Sequence, residues 1–253
     1  MKQSTPTSPK PPDPLSILLI GPPGGGKTTL EMSFPSICVC DCDENLDGPE
    51  RFLRSKSKDF SYSYERIRYD DKDLPLDLDK CYDGLMEKLI TLKANEHIKT
   101  VAVDSLTSVN EFIIQKILRA QRRGEMEARD WIPFKSRMLE LINRLRGLGK
   151  TSICAVHESK ITEPDPKNMM NKTIVGYEPS IQGSIVDYFG GFFTDMWRCT
   201  AEAAPGGLVE FRLQPIRSAK SDLKNSVGLT ETIKIKSGES MFEKVAPFLK
   251  GRI

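Results

Sequence analysis

The residues Gly21-Pro22-Pro23-Gly24-Gly25-Gly26-Lys27-Thr28-Thr29 fit the phosphate-binding pattern G-x-x-x-x-G-K-[ST] at every fixed position. Glycines at that spacing let the backbone curl until several N–H groups point inward. A helix beginning at the end of such a loop adds a partial positive charge, so phosphate oxygens are held by both. Lys27 has the reach for β- and γ-phosphates, and the Thr28 hydroxyl suits Mg²⁺. A plain glycine-rich turn is the structural alternative, but the full pattern predicts a bound nucleoside triphosphate.

Three other places put a polar residue at the end of an apolar run. Asp104 follows Thr100-Val101-Ala102-Val103, and a carboxylate there would hold Mg²⁺ alongside Thr28. Taken alone, it could equally start a turn or cap the next helix. Ile37 to Asp41 leads into Cys42-Asp43-Glu44-Asn45-Leu46-Asp47, where a carboxylate could orient or deprotonate an attacking water. Alternation puts Asp41 and Asp43 on one side and Glu44 on the other, which leaves the choice open. An acidic surface loop is the alternative. His157 ends Ser152-Ile153-Cys154-Ala155-Val156. It could touch a γ-phosphate and pass its presence to the next loop, or be an ordinary strand-end histidine.

These groups meet only if strands carry them to one edge. Leu15 to Ile20, Ile37 to Asp41, Thr100 to Val103 and Thr151 to His157 read as buried strands, and Tyr62 to Tyr69 as a short one. The helix after the phosphate loop is cut short by Phe34-Pro35. Longer helices are predicted over Leu76–Asn95, Ser108–Arg123 and Asp130–Gly147. Asp43 to Lys58 reads as a charged loop and Glu158 to Gly183 as irregular, broken at Pro164, Pro166 and Pro179. Phe192 to Thr200 and Leu208 to Gln214 flank Ala204-Pro205-Gly206-Gly207 as an antiparallel pair, and the tail after Gly207 reads as strands and turns. Strands alternating with helices imply a mainly parallel α/β sheet covered on both faces, with ligands at the carboxyl ends of its strands.

The chain has 253 residues, 38% of them hydrophobic, enough for one full core with elaborations. Its formal net charge of +2 gives no global basic field, so any nucleic-acid contact must come from local clusters. Residues 1–14 are polar and proline-rich and are expected to form a disordered tail, followed by one domain over 15–253. No signal peptide and no membrane span are evident, which points to the cytoplasm. Cys38, Cys40 and Cys42 alternate along one strand; the two histidines lack a finger-like spacing to them, so core thiols are expected rather than a metal site.

In this order the pieces resemble the RecA-type recombinase core, and more closely the phage-encoded RecA-core ATPases of single-strand annealing and homologous recombination. The likeness rests on the phosphate loop, the stretch Asp41 to Asp47, the strand Val101-Ala102-Val103-Asp104-Ser105-Leu106-Thr107, and Ala155-Val156-His157-Glu158. The pattern Gly176-Tyr177-Glu178-Pro179-Ser180-Ile181-Gln182-Gly183 adds to it. The resemblance implies a RecA-like P-loop fold with an antiparallel extension from about residue 205, and ATP hydrolysis with Mg²⁺, stimulated by DNA. The family's catalytic glutamate falls on Asp43, with Glu44 beside it; an aspartate is one methylene shorter. Arg217 and Lys220 would complete a neighbouring subunit's site in a homo-oligomeric ring or filament. Single-stranded DNA would be held by Arg119, Arg122 and Arg123 and by Lys160, Lys167 and Lys172, and a single-strand binding protein is an implied partner. If phage-encoded, the chain would act in the cytoplasm of a bacterial host.

Other classes share parts of this pattern. An AAA+ motor or DNA helicase would carry a similar Gly-Pro-Pro-Gly-x-Gly-Lys-Thr loop, but needs a C-terminal helical lid. A small-molecule kinase would use Arg119 to Arg129 as a lid, although no acceptor pocket is visible. Ala219-Lys220-Ser221-Asp222 only distantly matches the guanine-reading N-K-x-D of a GTPase. A non-hydrolysing, ATP-gated DNA clamp is compatible with Asp43.

Overall fold

The computed structural model describes residues 13–57, 59–165, 168–182, 185, 189–215, 223–236 and 239–249. Arg217, Lys220, Lys167 and residues 1–12 of the expected tail lie outside them. The strands are β1 (Ser16–Gly21), β2 (Ile37–Asp41), β3 (Ser63–Arg66), β4 (Thr100–Asp104), β5 (Thr151–Asp165), β6 (Asn168–Pro179), β7 (Asp195–Ala204), β8 (Leu208–Gln214) and β9 (Ile233–Ile235). The helices are α1 (Lys27–Met32), α2 (Asp47–Lys56), α3 (Leu78–Ala94), α4 (Leu106–Gln121), α5 (Trp131–Arg146) and α6 (Met241–Leu249).

The strand order is β3-β2-β4-β5-β1-β7-β8-β9, with β6 paired to β5. From β3 to β7 every pairing along this path is parallel; β8 and β9 add antiparallel strands beyond β7. The expected fold class is therefore the one observed: a RecA-like P-loop α/β sheet, mainly parallel, with an antiparallel C-terminal extension. The phosphate-loop strand β1 is central, and β5 separates it from β4. Parallel neighbours need long crossovers, and helices α1 to α5 supply those between β1 and β5, covering both faces.

Period-two alternation divides each buried strand between two cores. Leu18, Ile20, Cys38, Cys40, Val101, Val103, Cys154 and Val156 face α3, α4 and α5. Ile17, Leu19, Ile37, Val39, Ala102 and Ile153 face Leu30, Leu53 and Val245 of α1, α2 and α6. All six cysteines are buried and free, and burial pushes the Cys38 thiol up to about 12. No group of metal-ligating side chains occurs among the described residues. Nor is any described helix long and apolar enough to cross a membrane.

Three segments depart from expectation. Asp47–Lys56 is a helix, not a loop. Pro49 sits in its first turn, where the missing N–H costs nothing; acids at that end and bases at the other suit the helix dipole. Glu158–Pro179 is not irregular: β5 runs on to Asp165 and turns back as β6. Pro164 falls one residue before the end of β5 and Pro179 at the end of β6, positions an edge ribbon tolerates; Pro166 lies outside the described residues. Finally, the C-terminal tail carries a helix, α6, whose Met241, Val245 and Leu249 recur at helical spacing into the α1–α2 core.

Candidate functional site

The phosphate loop leaves β1 at Gly21 and closes on Gly25 N–H donating to the Pro22 carbonyl at 3.1 Å. Gly24 and Gly26 have φ of 74° and 89°, the left-handed region that glycine adopts freely. Gly21 and Gly25 back onto β7: a Cβ would stand 2.1 and 2.7 Å from the Cys199 carbonyl oxygen. At Gly26 it would meet the Phe211 ring at 2.5 Å and the Met241 methyl at 3.2 Å. Lys27 Nζ donates to the carbonyls of Gly21 (2.9 Å) and Pro22 (3.0 Å). Burial pushes its pKa below the ordinary lysine value, a shift that nearby acidic groups oppose.

Thr28 Oγ1 lies 2.6 Å from Asp104 Oδ2. Asp104 ends β4, and burial raises its carboxyl to about 7, with the hydrogen bond to Thr28 opposing. The peptide joining Asp104 to Ser105 is cis. Ser105 donates both its N–H (3.2 Å) and its hydroxyl (3.1 Å) to Asp43 Oδ1. His157 Nδ1 is 3.4 Å from Lys27 Nζ, and His157 Nε2 is 3.9 Å from Asp43 Oδ2. Burial, then the Lys27 charge, lowers the His157 pKa, so the ring is neutral near pH 7. Five residues from three elements and the turn after β2 thus meet: Lys27, Thr28, Asp43, Asp104 and His157.

The acidic stretch after β2 divides its labour. Asp41 is buried, and its Oδ1 accepts the N–H of Asp43 (3.3 Å) and of Glu44 (2.8 Å). That turn puts Glu44 at φ 57° and exposed, where its carboxyl takes a hydrogen bond from Tyr69. Asp43 is therefore the carboxylate turned toward the phosphate loop, and Glu44 is turned away from it.

A cavity of about 340 Å³ opens over these groups, lined by Pro23 through Thr29 with Asp43, Asp104 and His157. Phe52 of α2 and Phe211 of β8 wall its other side, their rings edge-to-face at 5.8 Å. Sequence reasoning missed both. Phe211 left only a faint signal, the alternation of Leu208-Val209-Glu210-Phe211-Arg212-Leu213. Behind the loop, Glu31 is fully buried, and neither carboxyl oxygen has a hydrogen-bond partner among the described residues. Burial, followed by the Asp104 charge, pushes its pKa well up. A larger open groove of about 880 Å³ between α3 and α5 touches none of these residues.

The expected DNA-contacting cations that are described lie at the end of α4 and on the β5–β6 ribbon. Arg123 is held by Asp130 at 2.7 and 2.8 Å and by Glu127 at 2.5 Å. Arg122 is the exposed left-handed cap of α4. Arg119 is exposed, 4.0 Å from Asp79. Lys160 and Lys172 are exposed on the β5–β6 ribbon.

The AAA domain family matches residues 13–210. No curated protein matches the sequence. Among solved structures, that of a KaiC-like protein from the hyperthermophilic archaeon Pyrococcus horikoshii OT3 aligns over 88% of this chain and 90% of its own, at 12% identity and a TM-score of 0.41. With the loop and the strand-end carboxylates inside the matched span, which takes in more than three quarters of the chain, the chain belongs to the AAA domain family and is a P-loop ATPase.

Proposed function

We propose that this chain is a Mg²⁺-dependent ATPase that works on single-stranded DNA in recombination or annealing, as a homo-oligomer in the cytoplasm. The observation that carries it is the convergence of Lys27, Thr28, Asp43, Asp104 and His157 on one cavity, with a two-stranded ribbon rising directly from His157. The Thr28 hydroxyl and the Asp104 carboxylate form the hard oxygen pair that suits Mg²⁺, which when bound would neutralise phosphate charge. Lys27 exchanges its two loop carbonyls for phosphate oxygens. Asp43, with one oxygen fixed by Ser105, accepts a proton from the attacking water at the other. His157 reports the γ-phosphate to the ribbon. Phe52 and Phe211 give the base an aromatic wall. Arg217 and Lys220 would enter a neighbouring subunit's site to stabilise charge on the transferring group.

DNA binding rests on Arg119, Arg122, Lys160 and Lys172, with Arg123 serving mainly to hold its own loop; Lys167 lies outside the described residues. Such contacts hold phosphates without reading bases. With single-stranded DNA each is worth about 0.7 in the log–log salt slope, so four give roughly −3. A single-strand binding protein is the partner such a protein would displace or recruit. A motor of the AAA+ kind is the second reading, favoured by the Gly-Pro-Pro-Gly form of the loop and the family matched.

The test is the ATPase rate with and without single-stranded DNA at low salt, beside Lys27→Ala. Stimulation by DNA, and loss of nucleotide binding or turnover in the variant, are expected. A rate indifferent to DNA, with no DNA bound, removes the recombination reading and leaves the motor. A strong preference for GTP over ATP removes the ATPase itself.

A further inference from the structure

β5 changes character at the nucleotide site. It pairs with β4 only as far as Cys154 and with β1 as far as His157. From Glu158 onward its strand partner is β6, from Glu158 opposite Pro179 to Asp165 opposite Asn168. A two-stranded ribbon alone is marginally stable in water, so its root must be fixed by something else.

Arg198 of β7 meets that root. Its Nε lies 2.7 Å and its Nη2 2.8 Å from the two oxygens of Glu158, a bidentate pair that is charge-assisted at both bonds. The same guanidinium lies 4.0 Å from the centre of the Tyr177 ring on β6, opposite Lys160. The pair is sheltered, with side-chain exposures of 17% for Arg198 and 5% for Glu158. Desolvation strengthens both contacts. Register explains how one side chain reaches so far. Arg198 pairs with Ile20, and Ile20 with Val156, so all three share a face, and Glu158 lies two residues beyond Val156 on that face. The arginine therefore crosses the end of β1. His157, the intervening residue, faces the opposite way, toward Lys27 and Asp43.

We propose that Arg198 is the positioning residue of a joint that passes the state of the nucleotide site to the β5–β6 ribbon. His157 and Glu158 are successive residues of one rigid strand pointing to opposite faces. A displacement of His157 by an arriving γ-phosphate therefore moves Glu158 with it. Arg198 divides that movement between β7, which is fixed in the sheet, and Tyr177, which is on the ribbon. The joint rests on the ATP-binding reading and supplies its route to the ribbon.

The experiment is amide hydrogen exchange over residues 158–179 of the full chain, free, with ADP, and with a non-hydrolysable ATP analogue. In the natural protein the analogue changes ribbon protection relative to ADP. In Arg198→Ala, protection without nucleotide falls at least about tenfold and the ADP–analogue difference disappears. Nucleotide affinity stays within about threefold, because Arg198 does not line the cavity. Arg198→Lys keeps one charged contact and restores part of the difference. Tyr177→Leu, which leaves the buried pair intact, loosens β6 alone and keeps the question answerable if Arg198→Ala does not fold. Ribbon protection that follows nucleotide equally well in Arg198→Ala, or in Tyr177→Leu, overturns the joint. Failure of the natural protein to bind ATP would instead overturn the reading on which it rests.

Discussion

Replacing Glu31 with methionine should make this protein more stable. The residue is one helical turn beyond Lys27, fully buried, with no hydrogen bond to either carboxyl oxygen among the described residues. Its pKa is pushed well above 4.5, first by burial and then by Asp104, so folding favours the neutral acid. Burying a polar group without a partner costs about 1–3 kcal/mol by the measure of mutated proteins. Methionine fills nearly the same volume, is a good helix former and has nothing to desolvate. A gain of about 1–3 kcal/mol corresponds, for a domain of this size, to a rise in Tm of roughly 2–12 °C. The pH dependence has a definite sign. A carboxyl whose folded pKa is raised contributes stability fully present below its unfolded value, here 4.5, and lost as pH rises through the folded value. Glu31→Met therefore gains more over the natural protein at pH 8 than at pH 5, because the natural protein loses ground as pH rises above 4.5. Urea unfolding of both proteins at the two pH values measures it. A variant less stable at both, or one whose gain is the same at both, refutes the neutral, unpartnered acid.

Two other predictions concern the cavity. Asp104, raised to about 7 by burial, must ionise to hold Mg²⁺, so affinity for Mg²⁺-nucleotide should climb with pH until about 7, up to tenfold per unit, then level off. The same carboxyl stabilises the nucleotide-free chain below pH 3.8 and loses that contribution as pH rises through about 7; calorimetry at pH 6 in buffers of different ionisation heat should record proton release, and a flat profile from pH 5.5 to 8 would contradict it. Gly26→Ala puts a Cβ at φ 89° and 2.5 Å from the Phe211 ring, so it should cost about 1–3 kcal/mol of stability and at least tenfold in nucleotide affinity; unchanged binding by fluorescent-nucleotide titration is the contrary result.

What could be read in advance was whatever the chain writes locally. The phosphate loop is contiguous, and Asp104 and His157 announce themselves as polar ends of apolar runs, so strand order alone brings them to Lys27 and Thr28. The choice between Asp43 and Glu44 was not legible, because strand alternation ends at Asp41 and the turn it nucleates obeys different geometry. Phe52 and Phe211 come from elements far apart in the chain, and nothing local marks either ring as a cavity wall. Glu31 follows Lys27 at the spacing of an ordinary surface ion pair, and only the packing of α1 against the sheet turns it into a buried acid. The ribbon was hidden by Pro164 and Pro179, which normally stop strands but here sit close to strand ends of a two-stranded edge. Helix α6 was hidden by its shortness and by Pro247 in its last turn.

The ring of Phe211 and the methyl of Met241 press on Gly26 from beyond the point where family likeness stops, at residue 210. The underside of the phosphate loop is thus lined by Phe211 of β8 and Met241 of α6, both beyond the matched residues. A fragment cut at the limit of recognisable sequence would keep the whole phosphate loop and lose the floor on which it is laid. In this chain the smallest competent unit is longer than the portion that kinship identifies, and engineered boundaries belong after Leu249.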